Sequence, residues 1–155
     1  MPEEPLESRA MAIVTPLNPD WERELRDGFA RQAAMSLFGA TIGRLAPGEM
    51  EIVLPFRREV TQQTGTIHAG VIAAIADSAC GGAAFSLMPP GSDVVSIEFK
   101  LNLLAPAIGD ACAARARVVR AGKTITTCVA DVFAIRGSSE TLVATMLGTM
   151  MRRGA

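Results

Sequence analysis

The spacing of apolar residues changes along the chain, from a helical period of about 3.6 residues to a strict alternation. Near the start, Trp21, Leu25, Phe29 and Ala33 recur every four residues among charged neighbours. This spacing predicts an amphipathic helix from about 19 to 37, which should lie on the surface of another element. An asparagine followed by a proline precedes it, as is typical of a capped helix start.

A second helix is predicted in the middle of the chain, and it is apolar on all sides. The stretch from Thr64 to Phe85 reads TGTIHAGVIAAIADSACGGAAF. A loop at its start leads into a helix from about Ala69 to Met88, which ends at the Pro-Pro-Gly sequence that follows. Because a helix that is apolar all round has to be buried, we expect the rest of the chain to wrap around it.

Strands are predicted on both sides of this helix. Before it, strands at about 40–45 and 50–55 flank a turn of sequence Ala-Pro-Gly-Glu. After it, apolar and polar residues alternate from about 94 to 103, which predicts a long strand with one apolar face. That face carries Val95, Ile97, Phe99, Leu101 and Leu103.

The C-terminal part continues the alternation. Three further strands, joined by short glycine-bearing turns, are predicted at about 109–120, 124–135 and 141–152. Together with the long strand they predict an antiparallel meander. The fold class is therefore α+β, with a curled antiparallel sheet wrapped around one long apolar central helix. We expect residues 1–17 to form a flexible lead-in and residues 18–155 to form a single domain, with the outer sheet face covered by a second subunit.

Composition narrows the class of protein. The chain has 155 residues, of which 49% are hydrophobic and 20% charged, as in a globular domain. The net charge of −1 gives no reason to expect a nucleic-acid partner. We expect no membrane span and no secretory signal. The three cysteines form no CxxC pair, so we expect a reduced, cytoplasmic protein without a zinc site or a disulfide framework.

Asp77 is the one ionisable carboxylate in the long apolar helix. Its neighbours one turn away are alanine, cysteine and glycine, none of which can neutralise it. A carboxylate in such a place is costly unless it accepts hydrogen bonds, takes up a proton or faces a cleft. Asp77 is therefore a candidate general base or nucleophile. The alternative is a structural carboxylate bound by backbone amides of a neighbouring strand or of a partner subunit.

The start of the long helix is a second candidate for chemistry. His68, Ala69 and Gly70 lie where backbone N–H groups lack helical partners and the helix dipole is positive. Such a place can polarise a carbonyl and stabilise an oxyanion without any side chain. The alternative is a plain helix cap in which His68 bonds to the preceding loop.

These motifs resemble those of a known family. The main motif is the segment Gly65-Thr66-Ile67-His68-Ala69-Gly70, followed in the helix by Ile75-Ala76-Asp77. Three further segments support the resemblance, and they are Val95-Ser96-Ile97, Ala105-Pro106 and the hairpin Ala121-Gly122-Lys123-Thr124. From about 61 to 151 the chain resembles the hot-dog-fold acyl-CoA thioesterases of the phenylacetate-pathway (PaaI-like) family. The resemblance implies a hot-dog fold whose subunits join their sheets edge to edge, in a homodimer or homotetramer with active sites at the dimer interface.

The resemblance also implies roles for the helix residues. Asp77 is the base or nucleophile that delivers water to the thioester carbonyl, and the amide of Ala69 or Gly70 polarises that carbonyl. His68 holds the loop beside the thioester. The family usually has His-Gly-Gly where this chain has His-Ala-Gly, so that the methyl group of Ala69 narrows the space around the carbonyl.

Further roles follow for residues outside the helix. Gln62 stands where many members have an asparagine or glutamine that orients the water, and Ser96 matches a serine that supports the water or the acid. Gly122 and Lys123 form the hairpin where such proteins often hold coenzyme A.

The predicted reaction is hydrolysis of an acyl-CoA to a free acid and CoA. It uses no metal and no cofactor beyond the coenzyme A of the substrate, and involves neither nucleic acid nor membrane. Two alternatives are a hot-dog dehydratase or hydratase and a non-catalytic acyl-CoA-binding protein. Dehydratases pair a histidine with an acid across the cleft, whereas here the acid follows His68 by nine residues in the same segment, which suits the thioesterase pattern better.

Overall fold

The computed structural model describes residues 15–154, which form a six-stranded antiparallel sheet with a long helix against one face. The helices are α1 (Trp21–Ala30), α2 (Ala33–Phe38) and α3 (Ala69–Phe85). The strands are β1 (Thr41–Ala46), β2 (Glu49–Pro55), β3 (Asp93–Leu103), β4 (Ala111–Ala121), β5 (Ile125–Arg136) and β6 (Ser139–Arg153). A 3-10 turn spans Arg58–Val60. Most of the predicted lead-in over 1–17 lies outside the described residues.

The sheet curls around α3, as the sequence predicted. Its strand order is β1-β2-β4-β5-β6-β3, and α3 packs against every strand from β2 to β6. The α+β architecture of a curled sheet around one apolar central helix is confirmed. Within residues 15–154, no helix is both long and apolar enough to cross a membrane.

Small residues on α3 let the sheet approach the helix closely. Its buried positions are Ile72, Ile75, Ala76, Ala79, Cys80, Ala83 and Ala84. A Cβ atom on Gly82 would overlap the sulfur of Met50 on β2, so any larger residue there has to displace the Met50 side chain. The helix ends at Phe85 rather than at Met88, because the Ser86 hydroxyl donates to the Ala83 carbonyl at 2.7 Å and accepts the Gly48 N–H at 2.7 Å.

The predicted single helix over 19–37 is wrong, since the segment forms two helices. The chain is extended at Gln32, between α1 and α2, with φ −75° and ψ 95°. The side-chain oxygen of Gln32 accepts a 3.1 Å hydrogen bond from the hydroxyl of Ser78 on α3. The break therefore coincides with a contact to an element distant in sequence, which local spacing does not reveal.

The predicted meander is also wrong at its first strand, because β3 pairs with β6 and forms an edge of the sheet. In addition, β3 does not keep one face throughout. Ser96 is opposite Met150 while Glu98 is opposite Thr149, so Ile97 is an extra, bulged residue. The bulge reverses the alternation. Ser96 therefore shares the helix-facing side with Phe99, while Ile97 points away and is 51% exposed.

Candidate active site

The carboxylate of Asp77 lies midway along α3, half-buried, and lines a cavity of about 410 Å³. The walls of this cavity come from α1, β2, α3 and the first residues of β3. Asp77 forms no ion pair within residues 15–154. A half-buried carboxylate that faces a cavity can contact a water molecule there, so this environment suits a general base.

Ser96 is the hydrogen-bond partner of Asp77. Its hydroxyl donates to Oδ1 of the carboxylate over 2.6 Å, and the sulfur of Met150 lies 3.4 Å away on the other side. The alternation in the sequence placed Ser96 on the polar side of its strand. The bulge at Ile97 accounts for its actual position, because it turns Ser96 towards the helix.

The first turn of α3 has a single N–H group that is not hydrogen-bonded within residues 15–154. His68 caps the helix, and its Nδ1 accepts the N–H of Gly70 at 2.9 Å. The carbonyl oxygen of His68 accepts the N–H groups of Val71 and Ile72, at 2.9 and 3.1 Å. The N–H of Ala69 is therefore the group in this turn that has no hydrogen-bond acceptor within residues 15–154. Of the two amides that the sequence proposed as carbonyl donors, that of Gly70 is occupied by the histidine cap.

Gln62 belongs to the loop that leads into this turn. Its side-chain Nε2 donates to the hydroxyls of Thr64 and Thr66, at 3.0 and 2.8 Å, and its backbone N–H donates to the Thr66 carbonyl at 2.9 Å. These bonds close the loop in front of α3. Since an amide nitrogen donates, the side-chain oxygen of Gln62 is the atom that remains for a ligand or a water molecule.

The candidate residues thus form two groups in one chain. Gln62, His68 and Ala69 form a donor half-site at the start of α3, and Asp77 and Ser96 form a carboxylate half-site at its middle. Ala69 and Asp77 are eight residues apart on the same helix, which corresponds to about 12 Å along the axis. One carbonyl group cannot be within hydrogen-bond reach of both groups of a single chain.

Gly122 and Lys123 lie elsewhere. They line a cavity of about 430 Å³ beside the C-terminal end of α3, together with Arg152, and this cavity does not include Asp77. On the other side of the same hairpin, Lys123 and Arg120 line a further cavity of about 390 Å³. Sequence reasoning missed Arg120 and Arg152. Arg120 could have been found from the sequence, because it is a basic residue next to the glycine-bearing hairpin.

The cysteines are not candidate nucleophiles. All three are buried and free. Burial raises the pKa of the Cys112 thiol to about 11, and a hydrogen bond with Cys128 together with burial raises the pKa of Cys80 further. Thiols held in the protonated form are poor nucleophiles. Within residues 15–154, no three His, Cys, Asp or Glu side chains form a group that could hold a metal ion.

Comparisons with known proteins identify the family of this chain. The family model described as "Thioesterase superfamily" matches residues 64–140, which include α3 and both residues of the carboxylate half-site. A solved thioesterase family protein from Silicibacter pomeroyi is 44% identical, with a TM-score of 0.85 over 87% of this chain and 99% of that one. The chain belongs to the thioesterase superfamily.

Two further proteins are similar to this member of the thioesterase superfamily, one in sequence and one in fold. A curated protein from Halobacterium salinarum, named provisionally as an esterase, is 32% identical over 96 residues, which are 59% of this chain and 63% of that protein's length. The PaaI protein of Escherichia coli, from the phenylacetic acid degradation operon, has a TM-score of 0.79 over 90% of this chain and 97% of its own, at 20% identity. At that identity the likeness concerns the fold, and the hot-dog fold with a PaaI-like arrangement is confirmed.

Proposed function

We propose that this protein hydrolyses acyl-CoA thioesters to a free acid and CoA. The observation that carries the proposal is the bond between Ser96 and Asp77, which holds a carboxylate without a cationic partner against a cavity. Membership of the thioesterase superfamily supports the same reaction class. The acyl-CoA substrate is our inference from the resemblance of the loop and helix motifs.

In the proposed mechanism, Asp77 acts as the general base. It removes a proton from a water molecule, whose oxygen then attacks the thioester carbonyl carbon. The N–H of Ala69 and the positive end of the helix dipole stabilise the negative charge that develops on the carbonyl oxygen. When the tetrahedral intermediate collapses, the C–S bond breaks and Asp77 returns its proton to the departing CoA thiolate.

Ser96, Gln62 and His68 act through position in this scheme. Ser96 occupies Oδ1 of the carboxylate, so Oδ2 is the oxygen that takes the proton. The side-chain oxygen of Gln62 is available to orient the water, and the His68 cap fixes the turn that carries the Ala69 N–H. Attack by Asp77 itself on the carbonyl, which forms a mixed anhydride, is the alternative route. A single turnover in ¹⁸O-labelled water tests for it, since a first acid that contains no ¹⁸O can form only when water attacks the Asp77 carbonyl of that anhydride.

The two half-sites have to come from two subunits. About 12 Å separates them in one chain. In the reaction, the carbonyl oxygen has to lie about 3 Å from the N–H that binds it, and the water that attacks the same carbonyl group has to lie about 3 Å from Asp77. We propose a homodimer, or a homotetramer built from two such dimers, in which the donor half-site of one subunit faces the carboxylate half-site of the other. The edge strand β3 has unpaired backbone groups that a second copy can pair with.

Coenzyme A is proposed to bind at the β4–β5 hairpin. Its phosphates carry negative charge, and Lys123, Arg120 and Arg152 surround the hairpin that contains Gly122. The three free cysteines fit a reducing compartment, and we propose a cytoplasmic location on that basis.

The test is thiol release from a panel of acyl-CoAs by the wild type and by Asp77→Ala and Asp77→Asn. We expect release by the wild type and a loss of at least about 100-fold in both variants, without loss of the fold. The exposed Asp131, on the outer side of the sheet, provides the matched control Asp131→Asn. Near-normal turnover by either Asp77 variant would remove this residue from the mechanism. If the wild type releases thiol from none of the acyl-CoAs, the substrate assignment is wrong, and acyl-carrier protein thioesters are tested next.

A further inference from the structure

The cavity of about 430 Å³ beside the β4–β5 hairpin has a lining that combines apolar and basic residues. Leu87, Met88 and Pro89, which follow α3, supply much of its apolar surface. Lys123 and Arg152 supply its positive charges. An occupant that suits this lining carries apolar groups and negative charges close together, because complementary charge directs binding to such a surface.

The first described residues of the chain form part of the wall of this hairpin cavity. Thr15 and Leu17 both line it. The next residue, Asn18, is buried, and its side chain donates to Glu24 and accepts the N–H of Asp20, at 2.9 Å each. These bonds anchor the chain at Asn18. The residues that precede Thr15 therefore continue from the wall of the cavity.

The sequence before Thr15 contains the groups that this lining would bind. Residues 11–14 read Met-Ala-Ile-Val and are all apolar. Further from Thr15 there are one arginine and three glutamates, which are Glu3, Glu4 and Glu7. Eight residues separate Glu7 from Thr15, and an extended chain of that length spans at most about 29 Å. The apolar residues are thus nearest to the cavity wall, and the glutamates have the reach to meet its basic residues.

The basic residues around the hairpin are available to these glutamates. Within residues 15–154, Arg120, Lys123 and Arg152 take part in no ion pair. A single ion pair at a surface is weak. However, a segment attached next to its site acts at an effective concentration in the millimolar range, so that even a site of millimolar affinity is occupied for about half of the time.

From these observations we propose that residues 3–14 of this chain bind in the hairpin cavity and compete there with coenzyme A. The apolar residues nearest to Thr15 cover the apolar part of the lining. The glutamates pair with Arg120, Lys123 and Arg152, the groups proposed above to hold the CoA phosphates. The inference rests on the proposed function and adds regulation of substrate binding to it. Occupancy by the segment lowers the apparent affinity for CoA by the fraction of sites that it fills.

A nitroxide label on Ser8→Cys tests whether the segment lies in the cavity, and it leaves all three glutamates in place. The three native cysteines are buried, so the label reacts with the introduced thiol. We expect the label to broaden the NMR amide signals of Gly122 and Lys123, and we expect saturating CoA to restore them. A label on Ser138→Cys, in the exposed turn at the other end of β5, is the control and should leave both signals sharp.

Calorimetry with CoA measures the competition in the full chain. The triple variant Glu3→Gln, Glu4→Gln, Glu7→Gln should bind CoA about 2- to 10-fold more tightly than the wild type, and the difference should shrink with added salt. The matched control removes three exposed carboxylates elsewhere, through Glu22→Gln, Asp27→Asn and Asp131→Asn. It changes the net charge by the same amount, so it measures the general attraction of CoA to a less negative protein. Its affinity for CoA should stay within about twofold of the wild-type value.

Three results would overturn the inference while leaving the proposed function intact. One is sharp signals of Gly122 and Lys123 in a labelled Ser8→Cys protein that binds CoA. The second is broadening that saturating CoA does not relieve, which would place the segment and CoA at separate sites. The third is an equal gain of affinity in the two triple variants, which would reflect net charge alone.

If the wild type binds no CoA, the proposed site for CoA fails, and with it the competition. The label on Ser8→Cys then tests the segment alone. Broadening of Gly122 and Lys123 that the three glutamate-to-glutamine changes abolish supports binding of the segment in the cavity. Sharp signals, or broadening only when the label and the observed amides are on different subunits of a mixed oligomer, overturn binding by the same chain.

Discussion

The hydroxyl of Ser96 on β3 donates a 2.6 Å hydrogen bond to Oδ1 of Asp77 on α3, which joins an edge strand to the central helix. The bond orients the carboxylate and leaves Oδ2 without a hydrogen-bond partner within residues 15–154. It exists because the bulge at Ile97 turns Ser96 towards the helix. The orientation of the candidate base is therefore set by the sheet.

Ser96→Ala removes this bond and is expected to lower kcat by about 10- to 100-fold, because a misoriented carboxylate reacts less often. KM should stay close to its wild-type value if Ser96 does not contact the substrate. Steady-state kinetics measure both. Ser138→Ala, in an exposed turn, is the matched control. A raised KM with unchanged kcat would instead give Ser96 a role in substrate binding.

Ala69→Pro tests the backbone donor directly. Proline lacks the N–H, and it is tolerated at the first position of a helix. His68, which precedes it, has φ −65° and ψ 136°, a conformation that suits a residue before proline. We expect the fold to persist and kcat to fall by about 100- to 1,000-fold.

The control for this change is Ala69→Gly, which keeps the N–H group. Its kcat should exceed that of Ala69→Pro by at least about tenfold. Circular dichroism confirms whether the proline variant is folded. Equal activities of the two folded variants would show that the Ala69 amide does not bind the carbonyl oxygen.

Mixing two inactive variants tests whether the half-sites come from different subunits. A dimer of one Asp77→Ala chain and one Ala69→Pro chain has one site with both changes and one site with neither. Refolding the two variants together in equal amounts should therefore restore about one quarter of wild-type activity, given a symmetric dimer. Each variant refolded alone should remain inactive. A mixture that stays inactive, although mass spectrometry detects the mixed dimer, would contradict a shared site.

Gly28→Ala is expected to stabilise the protein. Alanine is favoured over glycine inside a helix by about 0.5–1 kcal/mol, and the added Cβ meets no close neighbour. The Tm should rise by about 1–4 °C in differential scanning calorimetry. Gly82→Ala is the contrasting variant and should lower the Tm, because its Cβ overlaps the buried Met50. A lower Tm for Gly28→Ala would mean that this position needs glycine for a structural reason.

The ion pair between Arg115 and Glu140 predicts a dependence of stability on pH. Hydrogen bonds from the Arg115 guanidinium, at 2.7 and 2.6 Å, lower the pKa of the Glu140 carboxyl. A lowered pKa in the folded state stabilises the protein at pH values above the unfolded pKa, and this contribution disappears as the pH falls through the folded pKa.

Glu140→Gln should therefore lower the free energy of unfolding at neutral pH. It should have no effect at a pH so low that the wild-type Glu140 carboxyl is protonated in both the folded and the unfolded state. Urea titrations at neutral and strongly acidic pH measure the difference. Because the pair lies at the surface, the effect should be small and should decrease with added salt. Glu59→Gln is the control, since its ion pair with Arg57 is looser, at 3.8 Å. An equal loss at both pH values would contradict the electrostatic explanation.

The sequence by itself determined the elements whose signal is local. The apolar run of α3 and the alternating strands are repeated patterns within short segments, so the fold class followed from them. Asp77 was identified because a carboxylate in an apolar helix requires an explanation. The helix start at Ala69 and its histidine were likewise visible, since a cap is formed by adjacent residues.

Only the tertiary structure decided what depends on contacts between distant segments. The bulge at Ile97 and the pairing of β3 with β6 depend on how the sheet closes around α3, and they bring Ser96 to Asp77. At the break between α1 and α2, Gln32 is hydrogen-bonded to Ser78, which is 46 residues away in the sequence. Periodicity describes which side of a segment is apolar but not which partner it meets. The cavity lined by Gly28 and Gly81 likewise exists only because two helices far apart in sequence pack side by side.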